Sequence, residues 1–359
     1  FEETTTTCYY PAGNATWTDE VRQNYGGTIT WQAYGEEPAL TGSIRARSAT
    51  LNVLDKVCII YKCSDDTIAT NNDDVAERGM LLFDSYEKAA AKDPAQAYET
   101  VTLEWDAREQ RYIGQSEGID ARDMDKSQFA IAYMKMVDGS YIFGTKNGED
   151  HIVEYSPLIY CNSKKSDASV GALCRAMMHY GAAAQVAQYG MTEGLMNEGF
   201  EAVPYDAAVL GEEVFSANTT VTNGLRLRSV TMDLQGAISY IVKFSIEDAA
   251  LVSDKQLYAE YVLETKAGTV NGDVELALGT DGRYWATIDG VPAKDLGATL
   301  TVKAYWVNEN GERMYSGELV YSGYEYVRRA LNNASSTEPI KALAQALAMY
   351  IDAADAYSN

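Results

Sequence analysis

The sequence predicts a mainly β chain with α, built as two tandem repeats, each an antiparallel β-sandwich-like sheet followed by a C-terminal helical pair. Three observations lead there. Short segments recur in the same order in both halves at constant offsets, the mark of an internal duplication. Within each half the apolar period changes once, from two to near 3.6, so strands come first and helices close the module. Turn-permitting residues follow the longest alternating stretches and return the chain as hairpins.

The anchors of the repeat are specific. Residues 44–53 match residues 225–234, with Arg45/Arg226, Arg47/Arg228, Ser48/Ser229 and Thr50/Thr231 identical. Further on, Arg111-Tyr112 aligns with Arg283-Tyr284, Gly118 with Gly290, Asp123 with Asp295, and Ala132-Tyr133 with Ala304-Tyr305. Late in each copy Tyr155-Ser156 matches Tyr321-Ser322, and residues 173–180 match 343–350. The organisation is a unique arm over 1–40, a first module over 41–190, a Gly- and Glu-bearing linker over 191–224 and a second module over 225–359.

Residues 299–306 alternate Leu300, Val302, Ala304 and Trp306 against Thr301, Lys303 and Tyr305, the pattern of a strand with one core face. Residues 128–136 are its partner in the first copy, and Asn308 to Gly311 and Val137 to Gly139 supply the hairpin turns. Ser322 followed by Glu325 reads as a capping box, and Ser156-Pro157 as a cap with proline in the first turn, so a short helix starts at the same place in both copies. A second helix follows each. Leu173, Met177, Tyr180 and Ala184 form one stripe, and Leu343, Leu347, Tyr350 and Ala354 another, each suited to lying on a sheet.

Composition narrows the function. With 29 Lys+Arg against 52 Asp+Glu the net charge is −23, which argues against nucleic acid and anionic membranes as partners. No uninterrupted apolar stretch approaches the ~18 residues of a spanning helix, so membrane insertion is not expected. The chain opens at Phe1 without Met or a basic leader, which reads as a mature or excised segment. Tyrosine outnumbers phenylalanine 26 to 7, and a ring that is half apolar and half hydrogen-bonding suits sheet faces and wet binding surfaces. The five cysteines show no metal-ligand or CxxC spacing, and Cys174 sits in an apolar helical pattern as a core thiol.

Residues 173–185, preceded by Tyr155-Ser156-Pro157 and by the Arg45 to Ser48 strand, resemble a module in large surface proteins of gut anaerobic Gram-positive bacteria. Such proteins often carry dockerins. The resemblance implies polysaccharide adherence in a cellulosome- or amylosome-type complex, secreted or held at the cell surface, with starch-adherence proteins as the specific comparison. It also implies a polysaccharide or oligosaccharide partner, α-glucan preferred, and allows a scaffold protein as a second one. The second copy departs from it, with Tyr350 to Asp355 where the first has Tyr180 to Gln185.

The residues themselves offer little for catalysis. His151 and His179 lie outside any zinc-protease or nucleophile-elbow motif. Two carboxylates would suffice for glycoside hydrolysis, but 52 acids allow any number of nominations. No catalytic residue, metal ligand or cofactor is therefore assigned. Asp65-Asp66, Asn71 to Asp74, and Asp120, Asp123 and Asp125 have the hard oxygens calcium takes, yet none follows the EF-hand pattern, and solvated acidic loops are the simpler reading.

Sugar binding needs an exposed ring with hydrogen-bonding neighbours. Trp105 continues the Val101, Leu103 series and Trp306 continues the Ala304 series, so both are read as core. Trp285 lies opposite Tyr284, Ala286 and Ile288 where the first copy has Ile113, and is as compatible with solvent as with the core. Trp17, Trp31, Tyr10 and Tyr34 are concentrated in the arm, free of any repeat constraint, and form either a sugar platform or an edge that completes the first module's sheet. The expectation is a non-catalytic carbohydrate-binding protein using Trp17, Trp31, Tyr34, Tyr10 and Trp285. A structural spacer or protein-docking module is the alternative, and a hydrolase with an unrecognised acid pair the third reading.

Overall fold

The computed structural model describes residues 5–11, 14, 16–34, 42–67, 74–235, 238–252 and 254–358. The chain is mainly β, with several antiparallel sheets and a few helices. It divides into two compact units. The first comprises Phe1–Leu51, Ile59–Glu117 and Ser127–Tyr155, and the second Asn52–Cys58, Gly118–Lys126 and Ser156–Asn359.

In the first unit the arm contributes β1 (Thr5–Pro11) and β2 (Thr28–Tyr34), which pair in parallel as a two-stranded sheet of their own. A four-stranded sheet is ordered β3-β4-β8-β7, from β3 (Gly42–Asn52), β4 (Cys58–Thr67), β7 (Glu104–Asp106) and β8 (Arg111–Gln115). Facing it is a second sheet, β10-β9-β5-β6, from β5 (Val75–Phe83), β6 (Glu99–Thr102), β9 (Gln128–Met136) and β10 (Tyr141–Phe143). A minor hairpin of β11 (Thr145–Lys146) and β12 (Glu149–Asp150) leads into β13 (Ile152–Tyr155), which also pairs with β9.

Alternation decides what lies between these sheets. Tyr61, Cys63 and Tyr112 point inward from one, and Met80, Leu82, Ala132 and Met134 from the other, all essentially buried, with Cys63 Sγ 3.5 Å from Met80 Sδ. The opposite face of β5 and β9 is also apolar and carries Leu81, Phe83, Ile131 and Tyr133. It is covered by the short helix α1 (Tyr86–Ala91) through Ala89.

One expectation fails at Leu103. Here β6 pairs with β5 while β7 pairs with β8, so the chain changes sheet between Thr102 and Glu104 and Val101 and Trp105 do not share a face. Trp105 is half-buried against Tyr112, ring centroids 5.2 Å apart.

The second unit contains β14 (Ser216–Ala217) and a four-stranded sheet ordered β15-β16-β20-β19, from β15 (Leu225–Asp233), β16 (Ser239–Ile246), β19 (Ala277–Leu278) and β20 (Tyr284–Ile288). After α4 (Ala249–Val252), the strands β17 (Tyr258–Thr265), β18 (Gly268–Glu275), β21 (Thr299–Val307), β22 (Arg313–Tyr315) and β23 (Leu319–Tyr321) build a sheet ordered β14-β23-β21-β17-β18, with β22 also on β21. Leu300, Val302, Ala304 and Trp306 are buried as the alternation demands, and the Trp306 indole donates to Asn223 O at 2.9 Å. The predicted turns form at Gly139 and Gly311, both with positive φ that glycine adopts without strain. Counted from β3 in one case and β15 in the other, both four-stranded sheets use the first, second, sixth and fifth strands in that order.

Four longer helices complete the second unit: α2 (Pro157–Lys164), α3 (Gly171–Ala184), α5 (Gly323–Asn332) and α6 (Glu338–Ser358). The N-caps are where the sequence puts them, with Ser156 Oγ accepting from Ile159 N–H and Ser322 Oγ from Glu325 N–H. The capping box is only half made. Glu325, 1% exposed, turns its carboxylate to Val214 N–H and Arg328 instead of back to Ser322. The two helical stripes are buried in full, but they are spent chiefly on each other: α3 packs along α6, and Tyr180 stacks on Tyr350 with centroids 5.4 Å apart and planes 19° from parallel. A helix in this position serves a helix–helix seam, not a sheet, because its apolar partner is the matching stripe.

Candidate functional site

The outer face of β15-β16-β20-β19 is built by strict alternation. Tyr240, Val242 and Phe244 turn inward, leaving Ile241, Lys243 and Ser245 outside. On β20, Ala286 and Ile288 turn inward, leaving Trp285 and Thr287 outside. Register sets Trp285 directly between Lys243 on one neighbour and Ala277 on the other. Ser229 and Thr231 continue the face on β15, opposite Lys243 and Ile241. The result is one half-buried indole on the outer sheet face, with the Thr287 hydroxyl on its own strand and those of Ser229 and Thr231 two strands away, beyond Lys243 and Ile241.

That indole is strapped. Lys243 Nζ lies 3.9 Å from the ring centroid and reaches Asp281 Oδ2 at 3.1 Å, while Asp281 Oδ1 accepts from the indole N–H at 3.0 Å. Beneath, Gly279 is required: a Cβ there would stand 2.5 Å from Trp285 Nε1. Some desolvation works against it, yet hydrogen bonds from Lys243 and Trp285 hold the Asp281 carboxyl below the usual carboxylate range. An ion pair of this exposure contributes little, and a cation over an accessible ring about 0.5–1 kcal/mol, so the strap is displaceable by a ligand that offers the ring C–H groups instead.

The matching face of the first unit repeats the fittings without the ring. Lys62 pairs with Glu109 at 2.7 Å as Lys243 does with Asp281, and Arg47 donates to Ser64 as Arg228 does to Ser245. Opposite Lys62 stands Ile113.

The arm brings together three of the residues the sequence nominates. Trp17 stacks on Tyr10 at 6.1 Å and meets Trp31 at 5.8 Å. Arg22 covers the Tyr10 ring at 4.6 Å, donates to its hydroxyl at 2.7 Å, and also holds Trp17 O. All three rings are half-buried, so they form a small core over the β1-β2 face and not a bare platform. The arm strands pair with each other, which answers the question of whether they complete the first module's sheet. The Tyr34 side chain lies outside the described residues, as do the side chains of Asp65 and Asp66 and all of Asn71, Asn72 and Asp73.

Sequence reading missed a second aromatic row. Tyr258, Tyr305 and Tyr315 lie side by side on β17, β21 and β22, centroids 5.5 and 5.6 Å apart, with Arg313 over Tyr305 at 4.3 Å and paired to Glu260 and Asp273. The signal was present: Tyr305 falls on the polar phase of its strand. Burial pushes the Tyr305 hydroxyl up to about 12, with Asp273 adding to it.

Apart from His151, whose buried Nδ1 has no hydrogen-bond partner, the groups that could suggest other chemistry are engaged elsewhere. His179 uses both ring nitrogens, toward Glu201 O at 2.8 Å and Asn197 Nδ2 at 2.9 Å, tying α3 to the segment after it. Burial lowers the His151 pKa, with Lys146 and Arg45 adding to the effect. Asp123 accepts from Tyr189 at 2.9 Å and pairs with Lys126. Asp125 accepts from Gln185 at 2.8 Å, and Asp120 faces Arg122. Among the described residues no group of three His, Cys, Asp or Glu side chains converges as metal ligands would. Cys161 and Cys174 are both buried and face one another across α2 and α3 as free thiols, and donating a hydrogen bond to Cys174, together with burial, raises the Cys161 pKa.

No family model and no curated protein matches the sequence. Among solved structures, the chain is similar to a DUF3823 family protein from Bacteroides ovatus, at 10% identity and TM-score 0.19 over 69% of this chain and 89% of that one. It is also similar to a DUF4785 family protein from Legionella pneumophila, at 7% identity and TM-score 0.17 over 78% and 55%. Likenesses of this extent carry no weight for function. No helix among the described residues is long and apolar enough to cross a membrane.

Proposed function

We propose that the protein is a non-catalytic glycan-binding component, α-glucan preferred, of a secreted or cell-surface polysaccharide-degrading assembly, built by duplication of one module. The observation that supports it is Trp285: a half-buried indole on the outer sheet face, with Thr287 on its strand and Ser229 and Thr231 across β16, where the matched face carries Ile113. A pyranose would take the ring face in place of Lys243, and the freed ammonium and Asp281 would serve its hydroxyls, exchanging one set of polar contacts for another. The Tyr10, Trp17 and Trp31 cluster is a second, weaker contact region.

Affinity electrophoresis in gels containing soluble starch, hydroxyethyl cellulose or xylan tests the reading. Retardation in starch is expected, and unretarded migration in all three sinks it. The covered state of Trp285 favours a second reading, a spacer or docking module in which the strap simply seals the sheet. That reading requires Trp285→Ala to leave every interaction with glycan unchanged.

A further inference from the structure

We propose that the arm strand β1 pairs antiparallel with the β1 of a second copy of this chain, joining two arms into one four-stranded sheet with its two-fold axis at Cys8. The proposal does not rest on the glycan reading.

The outer edge of β1 is open and unguarded. Among the described residues its one ladder partner is β2, and no hydrogen bond beyond that ladder engages the backbone of Thr6 to Tyr10. Folded proteins normally protect such an edge with a lysine, an inward charge or a bulge. Here β1 has none of these: Thr5-Thr6-Thr7-Cys8-Tyr9-Tyr10-Pro11 is uncharged in a chain of net charge −23, and it pairs with β2 without a register shift. A sheet of two strands is also marginal in water unless further strands or a broad cover support it. The cover formed by Trp17 reaches one face, and Thr7, Tyr9, Thr30 and Gln32 on the other are exposed.

The order of residues along the strand selects a second copy as the occupant. Threonines fill the first half of β1 and tyrosines the second, with Cys8 in the middle. A two-fold at Cys8 therefore sets Thr7 opposite Tyr9, and Thr6 opposite Tyr10, of the other copy. Each of these pairs brings a β-branched side chain against a ring, a favoured cross-strand combination. An uncharged strand also meets its own copy without the like-charge repulsion that an acidic segment would bring. The pairing stops short of Pro11, which has no N–H to offer. The assembly closes at two copies. On the far side of β2, Ile29 N–H already donates to Asn24 Oδ1 at 3.3 Å, so that edge is engaged and the sheet does not extend into a fibre.

Cys8 supplies the probe. It is half-buried, while Cys58, Cys63, Cys161 and Cys174 are 0% exposed, so a short bismaleimide added to the native full chain is expected to link two copies through Cys8 alone. Analytical ultracentrifugation should show a monomer–dimer equilibrium in the micromolar range. Register is tested by charge at Thr7 and Tyr9, whose side chains are exposed. Thr7→Lys with Tyr9→Lys sets like charges opposite one another and should weaken association about tenfold, with loss of the cross-link and an unchanged melting temperature. Thr7→Lys with Tyr9→Glu sets opposite charges in register and should restore both association and cross-link. A parallel pairing predicts the reverse for that second variant, since it would place like on like. The proposal is overturned if the native chain stays monomeric at its highest soluble concentration, or if it dimerises without linking Cys8. It is equally overturned if the doubly basic variant associates as the native chain does, or if the variant of mixed charge fails as the doubly basic one does.

Discussion

The outer faces of the two four-stranded sheets are a natural substitution experiment. Both carry a lysine bridged to an acid in the turn that leads into its neighbouring strand, 2.7 Å for Lys62 and Glu109 and 3.1 Å for Lys243 and Asp281, and both carry an arginine on a serine. They differ at the residue under the lysine, Ile113 in one and Trp285 in the other. Fittings shared by both faces serve the fold, since the first face keeps them with no ring to strap. What is peculiar to the second is an aromatic surface held under a weak cover, and that is where recognition would have been added.

The largest effect expected from breaking this contrast is at Trp285. Trp285→Ala should weaken starch binding about thirtyfold, the roughly 2 kcal/mol typical of an aromatic anchor, read as lost retardation in affinity gels and by calorimetry. The melting temperature should hold, because the ring lies outside the inter-sheet core. Ile113→Ala is the matched control and should leave binding unchanged. Equal losses from both variants would show that the sheets, and not the indole, hold the glycan.

A smaller effect tests whether the fittings suffice once a ring is supplied. Ile113→Trp places an indole between Lys62 and Glu104 in the same register as Trp285 between Lys243 and Ala277. Retention on granular starch should rise about tenfold through two-point attachment, while affinity for a short maltooligosaccharide stays within twofold, since a short ligand engages one face at a time. No gain on granules would mean that Thr287, where the first face has Gln115, or the absence of a charge at Ala277, where it has Glu104, supplies what the first face lacks.

Much of this was legible in the sequence, for reasons that can be located. The Leu173 to Ala184 and Leu343 to Ala354 stripes are buried as their period demands, and the caps at Ser156 and Ser322 form, because both depend on neighbours within one helix. Alternation set Trp285 on the side of its strand opposite Tyr284, Ala286 and Ile288 but left open whether that side met solvent or core. The change of sheet at Leu103 was not legible, since no glycine or proline marks it and the apolar–polar alternation runs unbroken through Val101, Leu103 and Trp105. Nor was the strap, which depends on Lys243 and Asp281, 38 residues apart, meeting over one ring. The stripes were read as sheet-facing because periodicity reveals that a face is apolar but not what covers it. The stacked Tyr180 and Tyr350 pair shows the cover to be the other helix.

The strap itself yields the smallest expected effect and the sharpest one. If Lys243 competes with the sugar for the indole, removing its anchor must strengthen binding. Asp281→Asn keeps an acceptor for the indole N–H but discharges the partner of Lys243, and affinity for starch should rise about threefold, within the range a single exposed cation–π contact can supply. Protonation does the same to the native chain. The Asp281 carboxyl is held below its ordinary value of 3.8, so the charged strap is complete above that pH and is lost only as pH falls through the lower, folded-state value. Binding measured from pH 7 downward should therefore stay level through pH 4 and rise below it in the native chain, while Asp281→Asn, already released, should show no rise. A native profile that falls where this one is expected to climb would mean the lysine supports the sugar and does not exclude it, and the ring would then be reached beside the strap instead of beneath it.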